Sequence, residues 1–376
     1  MESTTLEAVR GIAADFAKDR HERQRRRELD FVDFDALADA GFLRTGIPAG
    51  AGGLFDAPTT STRPIAEMLR ALAHGDSSVA LVASMHPAVL SFWNACPDVP
   101  QPDRDAWRAQ RDELAAHAAD GHWFGTITSE PGSGGDIANT RSEAVPEHDA
   151  WAISGTKHFG SGSGMSSFML TSALPAGEAR PDWFVFDLRD AATRESHMKI
   201  VAPWDGHGMT ATQSHGIEFD HFPAQRAAWP GHLQDLSDTA GPFVIALFTA
   251  VVFGIVEAAV EAAREQLRRR PSLRPYEQVE WANVEQDAWL MEQAYEGLLR
   301  SIEAEEATPA STILAKTASA QLAENCLRRI TRVLGGGTFA RHAPFGFWFE
   351  DVRALGFLRP SWGMSYDGIA AGAFAD

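Results

Sequence analysis

Trp151-Ala-Ile-Ser-Gly-Thr-Lys157-His158-Phe159-Gly160-Ser161-Gly162 follows Thr128-Ser129-Glu130-Pro131-Gly132-Ser133-Gly134-Gly135-Asp136, and the two stretches decide how the chain is read. Each joins a run of β-branched and aromatic residues to a Gly- and Ser-rich turn, the pattern of a strand and its exit. Similar short runs surround them: Trp123-Phe-Gly-Thr-Ile-Thr128, Phe168-Met-Leu-Thr-Ser172, Trp183-Phe-Val-Phe-Asp187 and Gly216-Ile-Glu-Phe-Asp220. Strands of about five residues separated by turn signals predict a small β-barrel or sandwich over residues 119–229.

Outward from this segment the period changes to that of helices. Residues 1–118 carry apolar positions three and four apart, as in Leu6-Glu-Ala-Val-Arg-Gly-Ile-Ala-Ala-Asp-Phe-Ala17 and Ile65-Ala-Glu-Met-Leu-Arg-Ala-Leu-Ala73. Residues 230–376 return to that period in the pieces 239–269, 276–305, 308–334 and a shorter tail. Four such segments predict an antiparallel four-helix bundle. The expected fold class is thus α+β multidomain: an N-terminal all-α domain (1–118), a central β-barrel domain (119–229) and a C-terminal helical bundle (230–376).

The stretch from Thr239 to Val256 contains no charged residue. A membrane span needs about 20 apolar residues. This run is shorter, lacks basic flanks, and continues into Glu257 and Glu261 with helical spacing. It predicts a helix buried on all sides within a bundle. The net charge of −18 argues against a nucleic-acid partner or an anionic membrane surface. Two cysteines, Cys96 and Cys326, give no disulfide framework and no cysteine zinc site. The first residues have neither a basic nor an apolar leader segment, so a cytoplasmic location is expected.

The α–β–α order and four motifs resemble the acyl-CoA dehydrogenase superfamily of flavoenzymes over nearly the whole chain. Thr128–Asp136 is similar to the family's T-E-P-x-x-G-S-D loop, and Trp151–Gly162 to the strand and turn that pack against the flavin. Trp204-Asp-Gly-His-Gly208 through Asp220 resembles the exit of the barrel. Arg332-Val-Leu-Gly335-Gly336-Gly337, followed by Glu350-Asp351-Val-Arg353, is like the Q-x-x-G-G and R-D-x-R elements. An isoalloxazine ring needs hydrogen bonds at its polar edge and an apolar partner on one face. The resemblance assigns these roles to Thr128, Ser129, Gly134 and Ser161, with Phe159 covering the ring. Taken singly, Ser129-Glu-Pro-Gly is also an ordinary turn and Phe159 an ordinary core residue.

In the family, FAD is reached from a neighbouring subunit, so a homodimer or homotetramer is expected. The basic residue that meets the pyrophosphate falls on Arg270. Arg332, Gly335 and Gly336 would lie along the dinucleotide, and Ser361 near its phosphates. Equally, Arg270 ends a helix and Gly335 is placed as a helix C-cap.

The family's reaction is α,β-dehydrogenation of an acyl thioester, with a carboxylate removing the α-proton as hydride passes to FAD. The catalytic Glu position falls on Arg359, and no carboxylate lies in 239–256. The nearest alternative base is Asp367, which also reads as a turn residue before Gly368. Phe159-Gly-Ser161-Gly replaces the dehydrogenases' W-I-T-N and is more like the flavin-dependent monooxygenase branch of the fold. Three readings follow. Dehydrogenation with a displaced base comes first, with an electron-transfer flavoprotein as partner. A two-component monooxygenase comes second, taking reduced FMN or FAD as co-substrate from a flavin reductase. There His86, His158 or His215 would serve as proton donor, although each also reads as a structural histidine. A catalytically silent subunit paired with an active homologue comes third. The substrate is a small molecule or an acyl thioester.

Overall fold

The computed structural model describes residues 2–148 and 150–373. Its N-terminal layer is helical: α1 (Glu2–Lys18), α2 (Arg20–Arg23), α3 (Phe31–Asp39), α4 (Pro58–Gly75), α5 (Ser77–Asn94) and α6 (Arg104–Ala119). Asp30 and Asp76 begin α3 and α5 by accepting the Val32 and Val79 backbone N–H groups, donors that a helix start otherwise leaves unpaired.

The middle of the chain holds β1 (Phe124–Thr126), β2 (Glu143–Glu147), β3 (Ala150–Gly160), β4 (Phe168–Pro175), β5 (Asp182–Asp187), β6 (Met198–Ala202) and β7 (His215–Arg226), with α7 (Ala191–His197) before β6. Pairing runs β4–β2–β3–β7–β5 and returns to β4, which closes a barrel. β1 adds to β4, and β6 to β7. Alternation sorts the side chains of β5. Phe184 and Phe186 fill the barrel with Met169, Ile217, Phe219 and Phe222, whereas Trp183 and Val185 point outward onto α5 and α6. β2, with Pro146, and β6, with exposed Lys199, Ile200 and Val201, lack the aromatic alternation and escape the sequence reading.

The C-terminal layer comprises α8 (Leu233–Arg268), α9 (Pro275–Glu303), α10 (Pro309–Leu334), α11 (Phe345–Val352), α12 (Ala354–Phe357) and α13 (Trp362–Ala373). α8 is long and apolar enough to cross a membrane, but 89% of its apolar window is buried within the protein. It packs against α4 and α5 on one side and α9 and α10 on the other. Gly254 makes the α4 contact feasible: a Cβ there would sit 2.2 Å from the Arg70 carbonyl oxygen. The fourth position of the expected bundle is therefore shared between short C-terminal helices and the N-terminal α4.

Candidate functional site

The two stretches that decide the fold meet at the mouth of the barrel. The His158 backbone N–H donates to the Ser129 carbonyl at 2.7 Å, bridging the loop 128–136 to β3. Lys157 and Glu130 fasten the same junction from inside. Lys157 is fully buried, and its ammonium pairs with Glu130 while also donating to Thr140 Oγ1 and the Ser172 carbonyl. Glu130 also accepts from the Thr140 and Ser142 hydroxyls and from the Arg141 and Ser142 backbone N–H groups. Burial opposes the charge on Glu130, but the Lys157 ammonium and these donors outweigh it and hold the carboxyl down at about 2. Burial pushes Lys157 down to about 8 despite Glu130, and the Arg359 charge acts in the same direction.

Just beyond Lys157 the β3–β7 register shifts between Lys157 and Gly160. Phe159 lies in this bulge at φ +59°, a left-handed conformation that costs a non-glycine residue energy. Its ring is 60% exposed, set edge-on to Trp204 at 6.2 Å. A Cβ on Gly160 would come 2.7 Å from Ile127 Cδ1, so the bulge is seated directly on β1's end. Ser161 is buried, with its hydroxyl 2.8 Å from that of Ser214, which in turn lies 2.8 Å from Thr212 Oγ1.

The turn after α12 closes the third side. Arg359 Nη2 donates to Thr128 Oγ1 at 2.6 Å. Burial lowers its pKa to about 10, against the charge of Asp136. Ser361 approaches the loop from the same turn: a Cβ on Gly135, at φ +87°, would lie 3.3 Å from Ser361 Oγ. Gly134 also has a left-handed backbone, at φ +67°. Buried Lys316 of α10 holds the turn by donating to the carbonyls of Leu358, at 2.7 Å, and Pro360. Burial lowers the Lys316 ammonium to about 7.

Thr128, Ser129, Gly134, Phe159, Ser161, Arg359 and Ser361 are therefore brought together. Arg270, Arg332, Gly335 and Gly336 are not among them. Arg270 donates to the Val333 and Leu334 carbonyls and pairs with Glu277, Arg332 is exposed, and Gly335 ends α10 at φ +84°. Nineteen positions along the chain separate Lys316 from Gly335, on the order of 28 Å at a helical rise. Within one chain these residues form a second, distant group.

The histidines divide likewise. The His158 ring packs over Gly216 of β7 and beside Phe159. His215 Nδ1 accepts from the Trp204 backbone N–H at 2.9 Å, which places the ring hydrogen on Nε2. His86 is fully buried, bonded to the Leu43 carbonyl and packed on Trp123 and Phe124, and burial pushes it down to about 4. It belongs to the core. Asp367 is exposed on α13.

Sequence reasoning missed the buried charges. Glu130 and Lys157 stand inside the quoted motifs but show their pairing only in space, and Lys316 is a lone cation on an otherwise uncharged stretch of α10. Asp351 belongs with them. Its carboxylate accepts from Met209 N–H at 2.6 Å and from the Ser77 hydroxyl at 2.7 Å. A Cβ on Gly208 would stand 2.5 Å from the Glu350 carbonyl carbon. The Trp204–Asp220 block and the Glu350–Arg353 block are thus two halves of one contact. A groove of about 430 Å³, lined by His117, Trp151, Phe168 and Arg189 among others, lies on the outer side of the barrel, away from this cluster.

The architecture is like that of solved acyl-CoA dehydrogenase-like structures. Butyryl-CoA dehydrogenase from Megasphaera elsdenii superposes with a TM-score of 0.84 at 14% identity, covering 100% of this chain and 98% of that one. A nitrososynthase from Micromonospora carbonacea var. africana gives 0.84 at 19% identity, covering 100% and 97%. FMN-bound TdsC from Paenibacillus sp. A11-2 gives 0.81 at 18%, covering 98% and 97%. In sequence, the chain is 28% identical over 251 residues to dibenzothiophene monooxygenase of Mycolicibacterium goodii, covering 62% of this chain and 55% of the relative. It is 27% identical over 265 residues to the probable FMNH2-dependent monooxygenase SfnC of Pseudomonas putida, covering 69% and 61%. The chain thus matches little more than half the length of these curated relatives. No family model matches it.

Proposed function

We propose that the chain is a flavin-dependent monooxygenase that takes reduced FMN as a co-substrate from a separate flavin reductase. The observation that carries this reading is the charge at the site: a guanidinium, Arg359, donates to Thr128 of the loop 128–136, and it is the residue to which the resemblance assigns the dehydrogenase base. Of the carboxylates beside it, Glu130 is held ionised by Lys157, and Asp136 accepts from Ala138 N–H and the Asn139 side chain. A carboxylate held at about 2 is a poor proton acceptor near neutral pH. The placement of dehydrogenation first is therefore reversed in favour of the monooxygenase, which needs no such base. The fold does not discriminate, since dehydrogenase and nitrososynthase superpose equally well. The named sequence relatives are both monooxygenases.

The residues present fit a flavin. Exposed Phe159, held in a strained bulge, offers an apolar ring face, and the loop 128–136 offers hydroxyls and glycine backbone. When bound, reduced flavin supplies the electrons that activate oxygen for insertion into a nitrogen, sulfur or activated carbon centre. The chain's own work is to orient the ring with Phe159, Ser129 and Ser161 and to keep the Ser161–Ser214–Thr212 hydroxyls ordered behind it. His215, with its hydrogen on Nε2, and His158 are the nearby proton carriers. The FMNH2-dependent relative and the FMN-bound structural neighbour support the mononucleotide.

The test uses the full chain. Oxygen uptake in the presence of substrate candidates is expected only when a reductase supplies reduced FMN. Anaerobic bleaching of a protein-bound flavin by an acyl-CoA panel would overturn the reading and restore dehydrogenation.

A further inference from the structure

We propose that Arg359 is a specificity-determining residue that binds the oxyanion of an organic substrate, a carboxylate, sulfinate or sulfonate, at the mouth of the barrel. The proposal rests on the flavin reading for its place in the reaction, but its geometry stands alone. Arg359 makes no ion pair among the described residues, and its one hydrogen bond goes to the neutral hydroxyl of Thr128. Lys316 holds the carbonyls on both sides of Arg359, and Lys157 lies under the loop. Against these stand Glu130, consumed by Lys157, and Asp136, consumed by the turn it caps.

In a protein of net charge −18, this partly buried guanidinium has no carboxylate bonded to it, and the Asp136 charge offsets its desolvation only in part. A ligand oxyanion is the missing partner. The planar fork suits carboxylate and sulfur oxyanions, which can accept two parallel N–H bonds. Thr128 Oγ1 fixes Nη2, and the Lys316 bonds fix the turn, so the fork is held in place before the ligand arrives.

The probes are acetate, benzoate and methanesulfonate, with benzamide as the neutral control, added to the flavin-free full chain and read by the thermal unfolding midpoint. At least one anion should raise the midpoint saturably, and benzamide should not. In Arg359→Gln the apparent affinity for that anion should fall by at least about tenfold, the loss of one charge-assisted pair. Arg359→Lys should keep part of it. If Arg359→Gln does not fold by circular dichroism, Arg359→Lys carries the test with an expected several-fold loss. No response to any anion, or an equal response in wild type and variant, overturns the proposal. FMN and riboflavin are titrated in parallel by flavin fluorescence. A loss in Arg359→Gln confined to FMN would assign the cation to the cofactor's phosphate and overturn the proposal. If neither flavin binds while an anion still binds through Arg359, the flavin reading fails and this one stands.

Discussion

Lys157 and Glu130 show how a single pair sets the conditions for the whole site. Both charges are out of water, so each is tolerable only with the other present. Lys157→Met or Glu130→Gln alone should each destabilise the protein by roughly 3–5 kcal/mol. The double variant should cost clearly less than the sum, because neither charge is then left alone. Urea unfolding of the four proteins measures the coupling; strict additivity would mean that the two residues act separately. The amide in Glu130→Gln keeps one oxygen, for either the Arg141 N–H at Oε2 or the Ser142 N–H at Oε1, so the single variant loses one backbone acceptor together with the charge. The same pair explains why Glu130 is no catalyst despite its place in the most recognisable motif: its lone pairs are already taken.

One level up, the end of β3 is the element that turns a packed barrel into a site. Its bulge forces Phe159 to φ +59° and aims the ring outward. Phe159→Gly should remove that strain, leaving the melting temperature of the flavin-free protein unchanged or higher. It should also weaken flavin binding by roughly tenfold, the worth of one aromatic face. Fluorescence titration beside a melting curve separates the two effects, and a lowered melting temperature with unchanged flavin affinity would assign Phe159 to the core. This element also marks how far the sequence could be read. The long helices and the strands at Trp183 and Gly216 are legible, because each repeats a period or a turn signal that acts locally, whereas the association of loop 128–136 with 157–161 is implied only by the family resemblance. β2 and β6 are not legible, because a proline in β2 and the edge position of β6 blur their alternation. Arg359 is legible as a substitution but not as a cation without a carboxylate, because Lys316 and Thr128 reach it from distant parts of the chain. The far group around Arg270 and Gly335 shows the converse: motif residues that the sequence associates with one ligand lie apart in a single chain.

Across the molecule, Asp351 ties the layers together, joining α11 to Ser77 of the N-terminal helices and to Met209 of the barrel segment. Complete burial raises its carboxyl to about 6, against the two hydrogen bonds, from an ordinary value of 3.8. Because the folded state then holds the proton more tightly than the unfolded chain, this group favours folding most at acid pH. Its contribution declines as pH rises from about 4 to about 6 and is flat above that. The span amounts to at most roughly 3 kcal/mol. Asp351→Asn should lack this slope. Denaturant midpoints at about pH 4, 5, 6 and 7 should therefore show wild type losing ground against the variant as pH rises, and a constant difference would dismiss the effect. The burial of α8 between N-terminal and C-terminal helices has a consequence for biosynthesis. While the chain is still on the ribosome, α4 and α5 can pack on each other, on α1 and on the barrel, but the faces that α8 covers stay open until residues 233–268 have emerged. The barrel can close first, since all its strands precede α8. The earliest-made helices therefore complete their packing only after synthesis has passed the whole barrel.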